Sequence, residues 1–162
     1  MIRVRLATMA DAPLLAELNR DVHQLHVDAL PNIYKPIDDV TPLAEDFRSR
    51  VLSNPEMRTY IVEVDGEPAG YASAEIRRQA EDAYHPARDY VHVDVISVRP
   101  EYRQNGCGRA LMEAVFDLAR KEGMSRVALD TMAFNTGAIA FYERLGFKMF
   151  KHTMDLQLED GV

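Results

Sequence analysis

Two groups of residues in the middle of this chain have the types and spacing for chemistry. The first is a polar pair on an alternating apolar stretch, Tyr90-Val-His-Val-Asp-Val-Ile-Ser-Val98. On a regular strand, residues two apart share a face, so His92, Asp94, Ile96 and Val98 are expected side by side. An imidazole with an unperturbed pKa of ~6.5 is a general base at neutral pH. A carboxylate two residues on can bind a cation, orient the group that the imidazole acts on, or relay a proton through water. A polar pair on a solvated strand face is the plainer alternative.

The second group follows at once, in Arg103-Gln-Asn-Gly-Cys-Gly-Arg109. A glycine-punctuated loop that opens a helix presents backbone N–H groups to an anion, and the helix start adds its own free donors. The amides of Asn105, Gly106, Gly108 and Arg109 are the candidate phosphate cradle, and the side chains of Arg103 and Arg109 can add charge-assisted bonds. A Walker loop is excluded, because Arg109 and Ala110 follow Gly108 where Lys and Ser/Thr are required. A dinucleotide fingerprint fits poorly: Leu111 stands at the third glycine position, although Asp130 sits near where a ribose-binding acid would. The pattern met in full is Arg103-x-x-Gly106-x-Gly108.

Two further features invite chemistry and carry less. Cys107 invites an acyl-cysteine reading, which is rejected because it lies within the candidate phosphate loop. His23 and His26 are spaced for a metal, yet no third ligand is evident, so no metal site is expected.

The elements that must hold these residues are legible. Ile2 to Ala7 alternates as a strand; Thr8 and Asp11 cap a helix reaching about Leu30, which Pro31 and Pro36 close. Thr41-Pro42 begins a second helix to about Leu52. Strands at 57–64 and 69–77 are joined by Asp65-Gly66, a hairpin signal, and a loop at 79–88 leads to the long strand 89–98. A helix from Gly106 to about Glu122 shows its apolar stripe at Leu111, Val115, Leu118 and Ala119. A strand at 125–131, a helix from Thr136 to Leu145 and one or two final strands within Phe147–Leu158 complete the chain. Phe141, Leu145 and Phe147 read as core.

The 162 residues suit one domain, 1–162, with a single core. A net charge of −7 argues against nucleic acid and is compatible with a cationic substrate. No apolar run approaches the ~20 residues of a membrane span. The N-terminus reads as a strand and not as a signal peptide. With one cysteine, an internal disulfide is excluded and a cytoplasmic location is expected.

The Arg103-x-x-Gly106-x-Gly108 loop with its strand resembles motif A of the GNAT superfamily of acyl-CoA-dependent N-acyltransferases. Downstream, Asn135-Thr-Gly-Ala-Ile-Ala-Phe-Tyr-Glu-Arg-Leu-Gly-Phe147 resembles motif B, in the expected order and at the expected separation. The resemblance covers roughly Tyr60 to Phe150. It implies an α/β (α+β) fold whose mixed, largely antiparallel central sheet is splayed between strand 89–98 and strand 125–131, flanked by about four helices. Acetyl-CoA would lie in the gap as co-substrate. By resemblance Val98 pairs its backbone with the pantetheine arm and Asn135 bonds the same arm; Asn135 read alone could equally cap a helix.

The same resemblance makes the Ile96 amide, freed by a strand bulge, the donor to a developing oxyanion. It makes Tyr142 the acid that protonates departing CoA thiolate. His92 and Asp94 match strand positions where family members often carry an acid or histidine; if neither is the base, deprotonation falls to water, to the amine's own equilibrium, or to a residue such as Glu75 on the preceding strand. Acceptor recognition falls on His23–Pro36, including Tyr34 and Lys35, and on the loop near His85. The implied activity is N-acetyl transfer to a primary amine by direct attack in a ternary complex. The alternative is a CoA-binding regulatory module without catalysis. The acceptor is not legible, and a homodimer is left open.

Overall fold

In the computed structural model, which describes residues 1–156 and 158, local chemistry starts each element. β1 (Ile2–Leu6) leads to Thr8, whose N–H donates to Asp11 Oδ2 at 2.7 Å. After that capped turn α1 (Ala12–Ala29) runs with Pro13 at its start, where a missing N–H costs nothing. α2 (Thr41–Asp46) begins where the Thr41 amide meets Asp39 Oδ1 (2.9 Å) and continues as a π-helical turn over Phe47–Leu52.

β2 (Met57–Val64) and β3 (Glu67–Gln79) form the expected hairpin. Its turn residues Asp65 and Gly66 have φ of 52° and 91°, the left-handed pair that tight hairpins use. β4 (Arg88–Val98), α3 (Cys107–Lys121), β5 (Val127–Leu129) and α4 (Thr136–Arg144) follow.

The five strands lie in chain order in one mixed sheet, antiparallel except for β4 against β5. This is the fold class the sequence implies. On one face of the sheet Ile61 and Tyr71 pack with Ala12, Leu15, Ala16 and Leu18 of α1 and with Ala44 and Phe47, and Val95 joins them. On the other, Val62, Ala69 and Ala72 pack with Cys107 and Leu111 of α3, joined by Ile96 and Val98. Polar groups drawn into the first layer are paired: the Tyr71 hydroxyl donates to Asn19 Oδ1 (2.6 Å), and Ser97 Oγ to the Leu18 carbonyl (2.9 Å).

Two compact units are distinguishable, Met1–Asp130, which holds the sheet and α1–α3, and Thr131–Val162, which holds α4. Two expectations need correction. β5 ends at Leu129, two residues short of Thr131. The final strands expected within Phe147–Leu158 are not formed by the described residues there; Gln157 lies outside them.

Candidate active site

The face expected to carry His92, Asp94, Ile96 and Val98 together is broken. Ser73 pairs with Val95 and Ala74 with Val93, which leaves Asp94 as an extra residue, a β-bulge. One inserted residue reverses the side-chain parity beyond it. Ile96 and Val98 therefore turn toward α3. His92, whose cross-strand partner is Glu75, stays on the α1 side with Ser97. The shared face fails because strand parity holds only for an unbroken ladder.

The bulge also re-aims the backbone. The Arg99 amide bonds the Ala69 carbonyl on β3 (2.9 Å), while the Val91 amide points the other way, to the Arg126 carbonyl ahead of β5 (3.1 Å). Amides two apart point the same way along a strand. Those of Ile96 and Val98, out of phase with Arg99, thus face the β5 side. Yet β5 pairs only with Val91–Val93, so β4 from Asp94 to Val98 extends past it. The outward amides of Ile96 and Val98 lie on this overhanging segment.

At the end of that overhang the chain turns through Gln104 (φ 63°) and Gly106 (φ 88°) into α3. Gly106 is the N-cap, and the first helical amide to find a carbonyl is Ala110, bonded to Gly106 O at 2.9 Å. The amides of Cys107, Gly108 and Arg109 precede that bond, as at any helix start. Arg109 is exposed, with Glu113 4.0 Å away. Arg103 instead donates Nε to the Val98 carbonyl (2.9 Å), tying the loop to the end of β4. Cys107 is 1% exposed in the core, and burial pushes its thiol pKa up, away from a nucleophilic thiolate.

His92 sits between two carboxylates. Nδ1 is 2.8 Å from Asp94 Oδ1, and Nε2 is 3.1 Å from Asp130 Oδ2, just past β5. Carboxylates only accept, so the ring satisfies both by carrying two protons. The Asp94 bond is the main cause that raises the imidazole pKa above 6.5; burial and the Arg77 charge oppose it. Arg77 lies 3.6 Å from Asp94 and 2.5 Å from Glu75, so the substitute base Glu75 is already ion-paired. Sequence reasoning missed Asp130 as a partner of His92. The available signal was parallel pairing of β5 with β4: His92 opposes Ala128, and Asp130 follows on the same face.

His23 and His26 serve the loop after α1. His23 Nε2 meets the Lys35 carbonyl (2.7 Å), His26 Nδ1 meets the Val22 carbonyl (2.7 Å), and both rings contact Tyr34. Among the described residues no group of three metal-binding side chains converges.

In the second unit Asn135 Oδ1 accepts the Ala138 amide (3.2 Å) as the N-cap of α4. Tyr142 is 8% exposed, packed by Phe141 and Phe147. Burial pushes its phenol pKa up to about 12, so it is protonated throughout the neutral range.

A five-stranded mixed sheet, a bulged fourth strand overhanging its parallel neighbour, and a glycine loop leading into a helix define an acetyltransferase scaffold. The chain belongs to the acetyltransferase (GNAT) family, whose model matches residues 19–147. It is 46% identical over 52 residues to the ribosomal protein bS18 alanine N-acetyltransferase of Escherichia coli K12, covering 32% of this chain and 35% of that one. It is 33% identical over 89 residues to an uncharacterized N-acetyltransferase of Methanocaldococcus jannaschii, 55% of this chain and 38% of that one. The chain thus spans little more than a third of either relative. Among solved structures, a tetramutant protein of Bacillus halodurans superposes with a TM-score of 0.91 at 24% identity, over 96% of this chain and 99% of that one, a likeness of fold. Among the described residues no helix is long and apolar enough to cross a membrane.

Proposed function

We propose that the chain, acting over 1–162 as one catalytic domain, transfers an acetyl group from acetyl-CoA to a primary amine by direct attack in a ternary complex. The observation that carries this reading is the overhanging, bulged end of β4 with its outward Ile96 and Val98 amides, running into the Gly106 turn of a family-matched chain. The cradle fits an anion: three amides precede the first helical bond, the turn is left-handed, and Arg109 is exposed beside it.

Acetyl-CoA supplies the activated acyl group as its thioester. Amides of Asn105, Gly106, Gly108 and Arg109 hold the pyrophosphate, with Arg109 adding charge. Arg103 contributes charge from the position where it braces Val98. The Val98 backbone and the Asn135 side chain hold the pantetheine arm; a capping Asn spends only Oδ1, so its Nδ2 donors remain for that task.

The nitrogen must be neutral to attack, so His92 takes a proton from the bound ammonium while Asp94 fixes the ring through Nδ1. As the amine nitrogen bonds to the carbonyl carbon, the oxyanion faces the Ile96 amide. The C–S bond then breaks, and Tyr142 protonates the sulfur, for which a phenol protonated at rest is required. The second proton lost by nitrogen as the amide forms restores the phenol, and amide, CoA thiol and the proton taken by His92 leave.

A panel of primary amines assayed for thiol release from acetyl-CoA tests this reading. Amine-dependent release abolished by Gly108→Glu is expected. Binding of CoA with no release by any amine would favour the non-catalytic module.

A further inference from the structure

His92 is 9% exposed, and its two ring nitrogens meet carboxylates of very different standing. Asp94 lies on the same strand, at 2.8 Å, and is also held by Arg77. Asp130 meets Nε2 at 3.1 Å from a side chain 96% exposed, at the tip of the shortest strand in the sheet. The other polar groups at this place are Glu75, paired to Arg77 on β3, and Tyr90, whose ring lies 5.1 Å from the Arg126 guanidinium. A ring held at both nitrogens has no lone pair to offer. A base needs one, so one partner must leave: Asp94 is held in place by Arg77 as well, whereas the Asp130 side chain is almost fully exposed.

The geometry points to Asp130 as a releasable latch on His92: it holds Nε2–H in the free protein and turns to the ammonium of the arriving amine, which frees Nε2 to accept a proton. The inference rests on the amine-acetylation reading above. Proton bookkeeping closes. On release the Nε2 proton passes to water, Nδ1–H stays on Asp94, and neutral Nε2 takes the proton of the bound ammonium, restoring the doubly protonated ring. Asp130 is thus a positioning residue that acts through His92 and pairs with a cation, which makes a protonated alkylamine the form that docks.

The test follows the His92 ring by long-range 1H–15N NMR, with His92→Gln to assign it among the five histidines. In the free protein, Asp130→Asn should move the His92 titration to lower pH while the backbone spectrum stays native. In the presence of CoA, n-butylammonium chloride at matched ionic strength should lower the wild-type His92 titration and leave that of Asp130→Asn unmoved. With a working acceptor, the same variant should raise the amine KM about two- to fivefold, as for one solvent-screened charge pair, and move the ascending limb of the kcat/KM profile to lower pH. A His92 titration untouched by Asp130→Asn, no butylammonium effect in wild type, or an equal effect in both proteins overturns the latch. Failure of every amine to release thiol would instead sink the acetylation reading, and the free-protein titration would still decide whether Asp130 holds the ring.

Discussion

Replacing Gly70 by Ala should cost this protein about 3 kcal/mol, although glycine-to-alanine changes inside strands usually stabilise. An ideal Cβ on Gly70 would lie 2.3 Å from the Ser97 carbonyl oxygen, 2.9 Å from Val98 Cα and 3.2 Å from the Ser97 carbonyl carbon. All three are backbone atoms of β4, so no rotamer change relieves them. Reaching an ordinary C···O contact of ~3.3 Å requires β3 and β4 to part locally by ~1 Å. Ladder bonds of ~2.9 Å would then stretch beyond hydrogen-bonding range. Losing two such bonds at ~1 kcal/mol each, with ~1–3 kcal/mol of overpacking, outweighs the ~0.4–1 kcal/mol gained from a stiffer unfolded chain. Urea unfolding should show this loss at unchanged m-value, and Tm should fall by about 6–12 °C for a domain of this size. Gly137→Ala in α4 is the internal control. A Cβ there meets nothing within 4 Å, and the change should stabilise by up to about 1 kcal/mol. A Gly70→Ala protein within about 0.5 kcal/mol of wild type would refute the argument that β4 is pressed onto β3 at this point.

Gly108→Glu should abolish binding of CoA in calorimetry while the fold is retained, because a carboxylate at the start of α3 repels the phosphates and blocks backbone approach. Tyr142→Phe should cut kcat by ~10²-fold or more with acetyl-CoA affinity nearly unchanged, since only the departing thiolate needs the hydroxyl; equal turnover would return Tyr142 to the core. The kcat/KM profile should rise on a limb above pH 6.5, absent in His92→Gln and displaced to lower pH in Asp94→Asn, because the Asp94 bond is the main cause of the raised His92 pKa. Arg5 holds the Asp11 carboxyl at about 2, below the usual carboxylate range. The folded form is the stronger acid, so its contribution is complete above pH 4 and is lost as pH falls through about 2. It amounts to about 1–2 kcal/mol after allowance for solvent, and Asp11→Asn should flatten that part of the stability profile.

The family and the order of elements were legible in the sequence because their signals are local. A left-handed Asp65-Gly66 turn, the Thr8–Asp11 cap and the Leu111–Val115–Leu118 stripe depend on neighbours within a few residues, and each lies where those residues put it. The glycine loop likewise announced itself by spacing, down to the helix that begins at Cys107. What the sequence alone could not decide was register. A bulge is one residue out of step between two strands, and nothing in Val-His-Val-Asp-Val says that Asp94 will be that residue. Its consequence is long-range: Ile96 and Val98 turn to α3, their amides turn to the open edge, and His92 stays on the other face. The partnership of His92 with Asp130 joins residues 38 positions apart. It exists only because β5 lies parallel to β4 in a register that tertiary packing fixes, and the close approach at Gly70 likewise depends on the register between β3 and β4.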